Sequence, residues 1–85
     1  MNKITVTNIW QELIITGTFL TLQNVGSNPM RVWVDSQDTG LPPADELSGY
    51  VLQPIFDSST DNNMTIEDVT NKIFVYSQEG TTGVF

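Results

Sequence analysis

The sequence predicts an all-β domain, a small antiparallel sandwich or barrel of about seven to eight short strands. Three observations carry this. Runs of β-branched and apolar residues recur along the chain. Turn chemistry interrupts them every 8–12 residues or so. Helical patterns are few, limited to Trp10 to Thr16, which suits strand or a short helix, and a single turn in the long connection after Asp35.

The elements follow in order. Lys3 to Thr7, "KITVT", alternates polar and apolar residues as a half-buried strand does. Trp10 to Thr16, "WQELIIT", reads as strand or as a short helix with Asn8 as its N-cap. Gly17 interrupts, and Thr18 to Asn24 resumes as strand. Val25-Gly26-Ser27-Asn28-Pro29 is a turn: Gly26 tolerates positive φ, and Pro29 drives Asn28 toward extended geometry. Met30 to Asp35 follows, and the pair is expected to form an antiparallel hairpin. Ser36 to Gly49 is a long polar connection that Pro42-Pro43 keeps out of a central strand. Within it "ADEL" suits one helical turn. Tyr50 to Phe56 is the next strand, near an edge or a bend because of Pro54. After the loop Asp57 to Asn63 come a short strand at Met64 to Asp68 and a strong one at Lys72 to Gln78. A turn at Glu79-Gly80 leads to a last strand ending at Phe85.

Length and composition bound the rest. The 85 residues make one domain with a thin core, and no cysteine staples it. The reading divides the chain into an N-terminal segment, residues 1–16, and a β-sandwich domain, residues 17–85. The first is either an arm that reaches a neighbouring subunit or the first strands of the fold. Small domains without staples often gain stability by oligomerising. Ten acidic residues against three basic ones give a formal charge of −7. Lys3, Arg31 and Lys72 are too few and scattered to displace counterions from nucleic acid or to hold an acidic membrane. No apolar run suits a signal peptide or a membrane span.

Chemistry is sparse. With no His and no Cys, the usual general base, thiolate and transition-metal ligands are missing. The glycines sit singly, so no phosphate-binding loop is formed. The reading is therefore a non-enzyme without a cofactor. One constellation has cation spacing: Asp57, Ser59 and Asp61 stand at positions 1, 3 and 5 of a loop with Asp68 at position 12. Against it, Asn62 stands where the sharp turn uses Gly, and Asp68 is shorter than the usual bidentate Glu. The same residues also make an ordinary surface loop.

Strand alternation assigns two faces. Leu20, Leu22, Met30, Val32, Val34, Ile73 and Val75 share an aliphatic face suited to a core. The opposite face carries Phe19, Arg31, Trp33, Phe74 and Tyr76. A solvated face would be polar. Either another part of this chain, such as Ile4 to Ile15, covers these aromatics, or they form an interface with another chain, whose usual anchors they are.

The segments "LQNVGSNPMRVWV" (Leu22 to Val34), "GYVLQP" (Gly49 to Pro54) and "KIFVYSQEGTTG" (Lys72 to Gly83) resemble small all-β accessory proteins of tailed-bacteriophage virions. The resemblance spans roughly Phe19 to Phe85. It implies a non-enzymatic virion component of the capsid-decoration, head-fibre or tail-accessory type, assembled in the host cytoplasm. Such a protein would self-associate, a trimer being favoured, and bind major capsid or tail proteins. The alternative expectation is a carbohydrate- or other ligand-binding β-module, calcium-dependent if the Asp57–Asp68 loop holds a cation.

Overall fold

Each β segment of the sequence contributes one strand, and the described residues contain no helix. The computed structural model describes residues 2–45, 48–55 and 61–85. The strands are β1 (Lys3–Val6), β2 (Gln11–Glu12), β3 (Leu20–Asn24), β4 (Met30–Val34), β5 (Tyr50–Leu52), β6 (Asn63–Ile66), β7 (Ile73–Tyr76) and β8 (Thr81–Val84). The segment Trp10 to Thr16 is thus extended, with a short strand at its start. Of the "ADEL" turn, Glu46 and Leu47 lie outside the described residues, as does Phe56 at the end of the segment that begins with β5.

Sheet I has the order β1-β8-β3-β6 and sheet II the order β2-β7-β4-β5. All pairings are antiparallel. Only β4 and β5 are both consecutive and paired; every other connection crosses between sheets. This is the strand order of a jelly roll, a double-sheet β-sandwich. The expected hairpin of Thr18–Asn24 with Met30–Asp35 is therefore not formed. β3 pairs with β6 and β8, while β4 pairs with β5 and β7.

The turn at residues 25–29 is a corner between sheets, and its side chains show why. Asn24, fully buried, donates to the carbonyls of Asn28 at 2.8 Å and Leu52 at 3.0 Å. Its Oδ1 accepts from Gly26 N at 3.1 Å and Thr81 Oγ1 at 2.7 Å. One amide thus ties the corner to β5 in sheet II and to β8 in sheet I. Gly26 does not take the positive φ expected of it. It is small for another reason: a Cβ there would run into Thr81 Oγ1 and lie 2.7 Å from Thr82 N.

The core lies between the sheets. Val6, Leu20 and Leu22 from sheet I meet Leu13, Met30, Val32, Leu52, Ile73 and Val75 from sheet II and its flank, all nearly inaccessible. Burying each such side chain is worth about 1.5–3 kcal/mol. The aliphatic set read from alternation is this core, with the exception of Val34, which is 37% exposed at the end of β4. β1 is stitched to β8 and continued by reciprocal hydrogen bonds between Asn2 and Phe85 of 2.7 and 2.9 Å. Residues 3–12 thus supply one edge strand to each sheet.

Candidate functional site

The outer face of sheet II is built by register. Arg31 stands opposite Tyr76, and Trp33 opposite Phe74, across β4 and β7. Glu12 of β2 stands opposite Phe74 on its other side. Cross-strand partners share a face, so Arg31, Trp33, Phe74 and Tyr76 do come together. Trp10, two residues before Glu12, lies on the same face. Its ring packs on Tyr76 with centroids 5.2 Å apart and planes at 31°. The offset, tilted arrangement is a favourable one for aromatic pairs.

This packing corrects the expected interface set. Phe74 is 5% exposed and Tyr76 4% within the single chain, so neither ring is available as a surface anchor. Trp10 covers Tyr76. Arg31 and Trp33 are half-buried. Phe19 is 61% exposed but precedes β3 in sheet I, and it does not join the aromatic face.

Two electrostatic features border this face. Lys72 Nζ lies 3.8 Å from Glu12 Oε1, with both side chains substantially exposed, a pairing worth at most about 1 kcal/mol. Asp35, buried at the end of β4, organises the loop that follows. Its Oδ1 accepts from Thr39 N and Thr39 Oγ1, each at 3.0 Å, and its Oδ2 from Gly40 N at 2.6 Å. Burial alone would push this carboxyl up. The Gly40 and Thr39 amides, the Thr39 hydroxyl and the Lys72 charge together hold it below the ordinary aspartate value.

The loop so fixed lies against sheet II. Trp33 forms a groove of about 310 Å³ with Ser36, Gln37, Leu41, Pro42 and Pro43. Strand direction also collects the exposed apolar side chains. Ile14 follows β2, Phe19 precedes β3, Val34 ends β4, Leu41 lies between β4 and β5, and Tyr50 starts β5. These are five of the six large apolar side chains exposed among the described residues, at 71%, 61%, 37%, 66% and 50%. The backbones of all five stand at the same end of the sandwich, because successive antiparallel strands alternate direction, but the Tyr50 side chain runs back toward the other end, where its hydroxyl reaches Asp61. Ile9, at the other end, is the sixth. The sequence reading named only Phe19 of these as a surface residue. Ile14 and Leu41 carry a signal in retrospect, as apolar residues in or beside Gly- and Pro-bearing connections.

The candidate cation loop is not assembled by the described residues. Asp57 and Ser59 lie outside them. Asp61 and Asp68 flank β6, whose four residues span about 13 Å, so the two carboxylates stand at opposite ends of the sandwich and do not converge. Asp61 Oδ2 instead accepts from the Tyr50 hydroxyl at 3.1 Å. That bond, the Asp61 charge and some burial push the Tyr50 phenol above its ordinary value. No cluster of three or more Asp and Glu suited to a metal ion occurs among the described residues.

Comparison of the chain with known protein families, with curated proteins and with solved structures finds no match.

Proposed function

We propose that this chain is a non-enzymatic structural protein of a bacteriophage virion, which self-assembles and binds a capsid or tail protein. The observation that carries the reading is the gathering of exposed apolar side chains at one end of the sandwich. Apolar side chains exposed at one common end mark an interaction site more readily than the same number scattered singly. The face proposed here therefore differs from the aromatic face of the sequence reading. Its anchors are Ile14, Phe19 and Leu41, with Val34 at the same end. The virion setting rests on the resemblance in Leu22–Val34, Gly49–Pro54 and Lys72–Gly83. The jelly-roll strand order adds an analogy of fold, since viral capsid domains often use it.

Size-exclusion chromatography with light scattering tests the assembly. The expected result is a closed oligomer at micromolar concentration, a trimer by preference, that Phe19→Ser and Leu41→Ser dissociate without lowering Tm. A wild-type chain that stays monomeric across that range would sink the proposal.

A further inference from the structure

We infer that the groove over Trp33 is a binding subsite for a neutral carbohydrate. Its floor is the half-buried indole of Trp33, on the outer face of sheet II, and Leu41, Pro42 and Pro43 wall it with apolar surface. Ser36 and Gln37 add a hydroxyl and an amide to the same lining, while the Thr39 hydroxyl is engaged with Asp35 and Leu41. A sugar ring presents this combination in reverse, with an apolar C–H face to stack on an aromatic ring and hydroxyls around its edge.

The charges select a neutral ligand. Asp35 is the single ionisable residue in the lining among the described residues. Its two oxygens already accept three hydrogen bonds from Thr39 and Gly40. Asp35 is 2% exposed, so it offers a cationic ligand little direct contact, and the formal charge of −7 disfavours an anionic one. A proline-rich peptide fits less well, because such peptides dock between several aromatic side chains and Trp33 is the only one in this lining among the described residues. The volume, about 310 Å³, lies at the lower end for ligand sites and suits one or two sugar rings. The site is also pre-shaped: the prolines restrict one wall and the Asp35 hydrogen bonds fix the loop beneath, so little ordering is left to oppose binding.

This subsite does not depend on the assembly reading, and the two are separable. The whole chain is screened on a printed array holding neutral gluco-, galacto- and manno-configured oligosaccharides, sialylated and sulfated glycans, and a proline-rich peptide. The best-retained neutral oligosaccharide is then titrated by calorimetry. Trp33→Ala should weaken it by about tenfold or more. Gln37→Ala changes an exposed side chain, so it should weaken binding several-fold with Tm unchanged, which keeps the test valid if Trp33→Ala fails to fold. Phe19→Ser should leave the affinity as it is, whatever it does to the oligomer. Retention of no neutral glycan overturns the inference. So does preference for acidic glycans, displacement by the peptide, or an affinity indifferent to Gln37→Ala.

Discussion

The indole of Trp10 lies over the ring of Tyr76, 5.2 Å between centroids, and covers that part of the outer face of sheet II from within the chain. Trp10 Nε1 is buried there without a hydrogen-bond partner among the described residues. The ring therefore stabilises by packing while its N–H opposes. Trp10→Phe keeps a ring and removes the orphan donor, so it should change stability by less than about 1 kcal/mol. Trp10→Ala should cost about 2–3 kcal/mol and leave Tyr76 open to solvent. Urea unfolding followed by circular dichroism measures both. Equal losses in the two variants would mean that the ring contact is not what keeps Tyr76 covered.

Asn24 invites a sharper test, because its amide uses both ends. It donates to the carbonyls of Asn28 and Leu52 and accepts from Gly26 and Thr81. Asn24→Ala should cost about 2–4 kcal/mol by leaving buried groups unpaired. Asn24→Asp sets a carboxylate oxygen against two carbonyls, so its loss at neutral pH should be at least as large. Part of that loss should return on acidification, where a protonated acid can again donate. Tm scans of the Asp variant from pH 7 to pH 4, with wild type as the control, read this directly. A constant gap between the two would show that the donor side of the amide is unimportant.

The two-residue period made the core legible. Leu20 with Leu22, and Met30 with Val32, are buried because alternation fixes which side chains share a face. Pairing was not legible. A five-residue turn joins two strands equally well within one sheet or around a corner, and the deciding contacts, Asn24 to Leu52 and to Thr81, link residues far apart in the chain. The same limit hid the fate of the aromatic face. Phe74 and Tyr76 share a face with Trp33 and Arg31, as alternation predicts, yet Trp10 covers Tyr76 from far back in the sequence. Phe19 follows the same alternation but belongs to the opposite sheet, which periodicity alone does not reveal.

Asp35 makes a prediction about pH. Its carboxyl titrates below the ordinary value in the fold, held there by Gly40, Thr39 and Lys72 against the cost of burial. A depressed folded value means that the unfolded chain takes up the proton first. The stabilisation is then complete above the unfolded value of about 3.9 and is lost as pH falls from there through the folded value. Wild type should exceed Asp35→Asn in Tm at pH 7, and the difference should shrink below about pH 4. Comparing the two chains removes the general effect of titrating the other acidic residues. A gap that widens on acidification would mean that the ionised carboxylate is not the stabilising form.

Gly26 supplies the last prediction. It lacks positive φ, so backbone strain gives no reason to keep glycine there. The reason is contact: a Cβ would strike Thr81 Oγ1, which the buried Asn24 amide also uses, and would approach the backbone nitrogen of Thr82. The hydroxyl can be removed by mutation, but the nitrogen belongs to the β8 backbone. Gly26→Ala should therefore cost about 2–3 kcal/mol or more. Adding Thr81→Ala should recover only part of that, since it also breaks the bond to Asn24. Chemical unfolding of the two single variants and the double variant gives the coupling between the positions. Strict additivity would show that the corner relaxes away from Thr81, and that the close approach at Gly26 does not hold the two sheets in register.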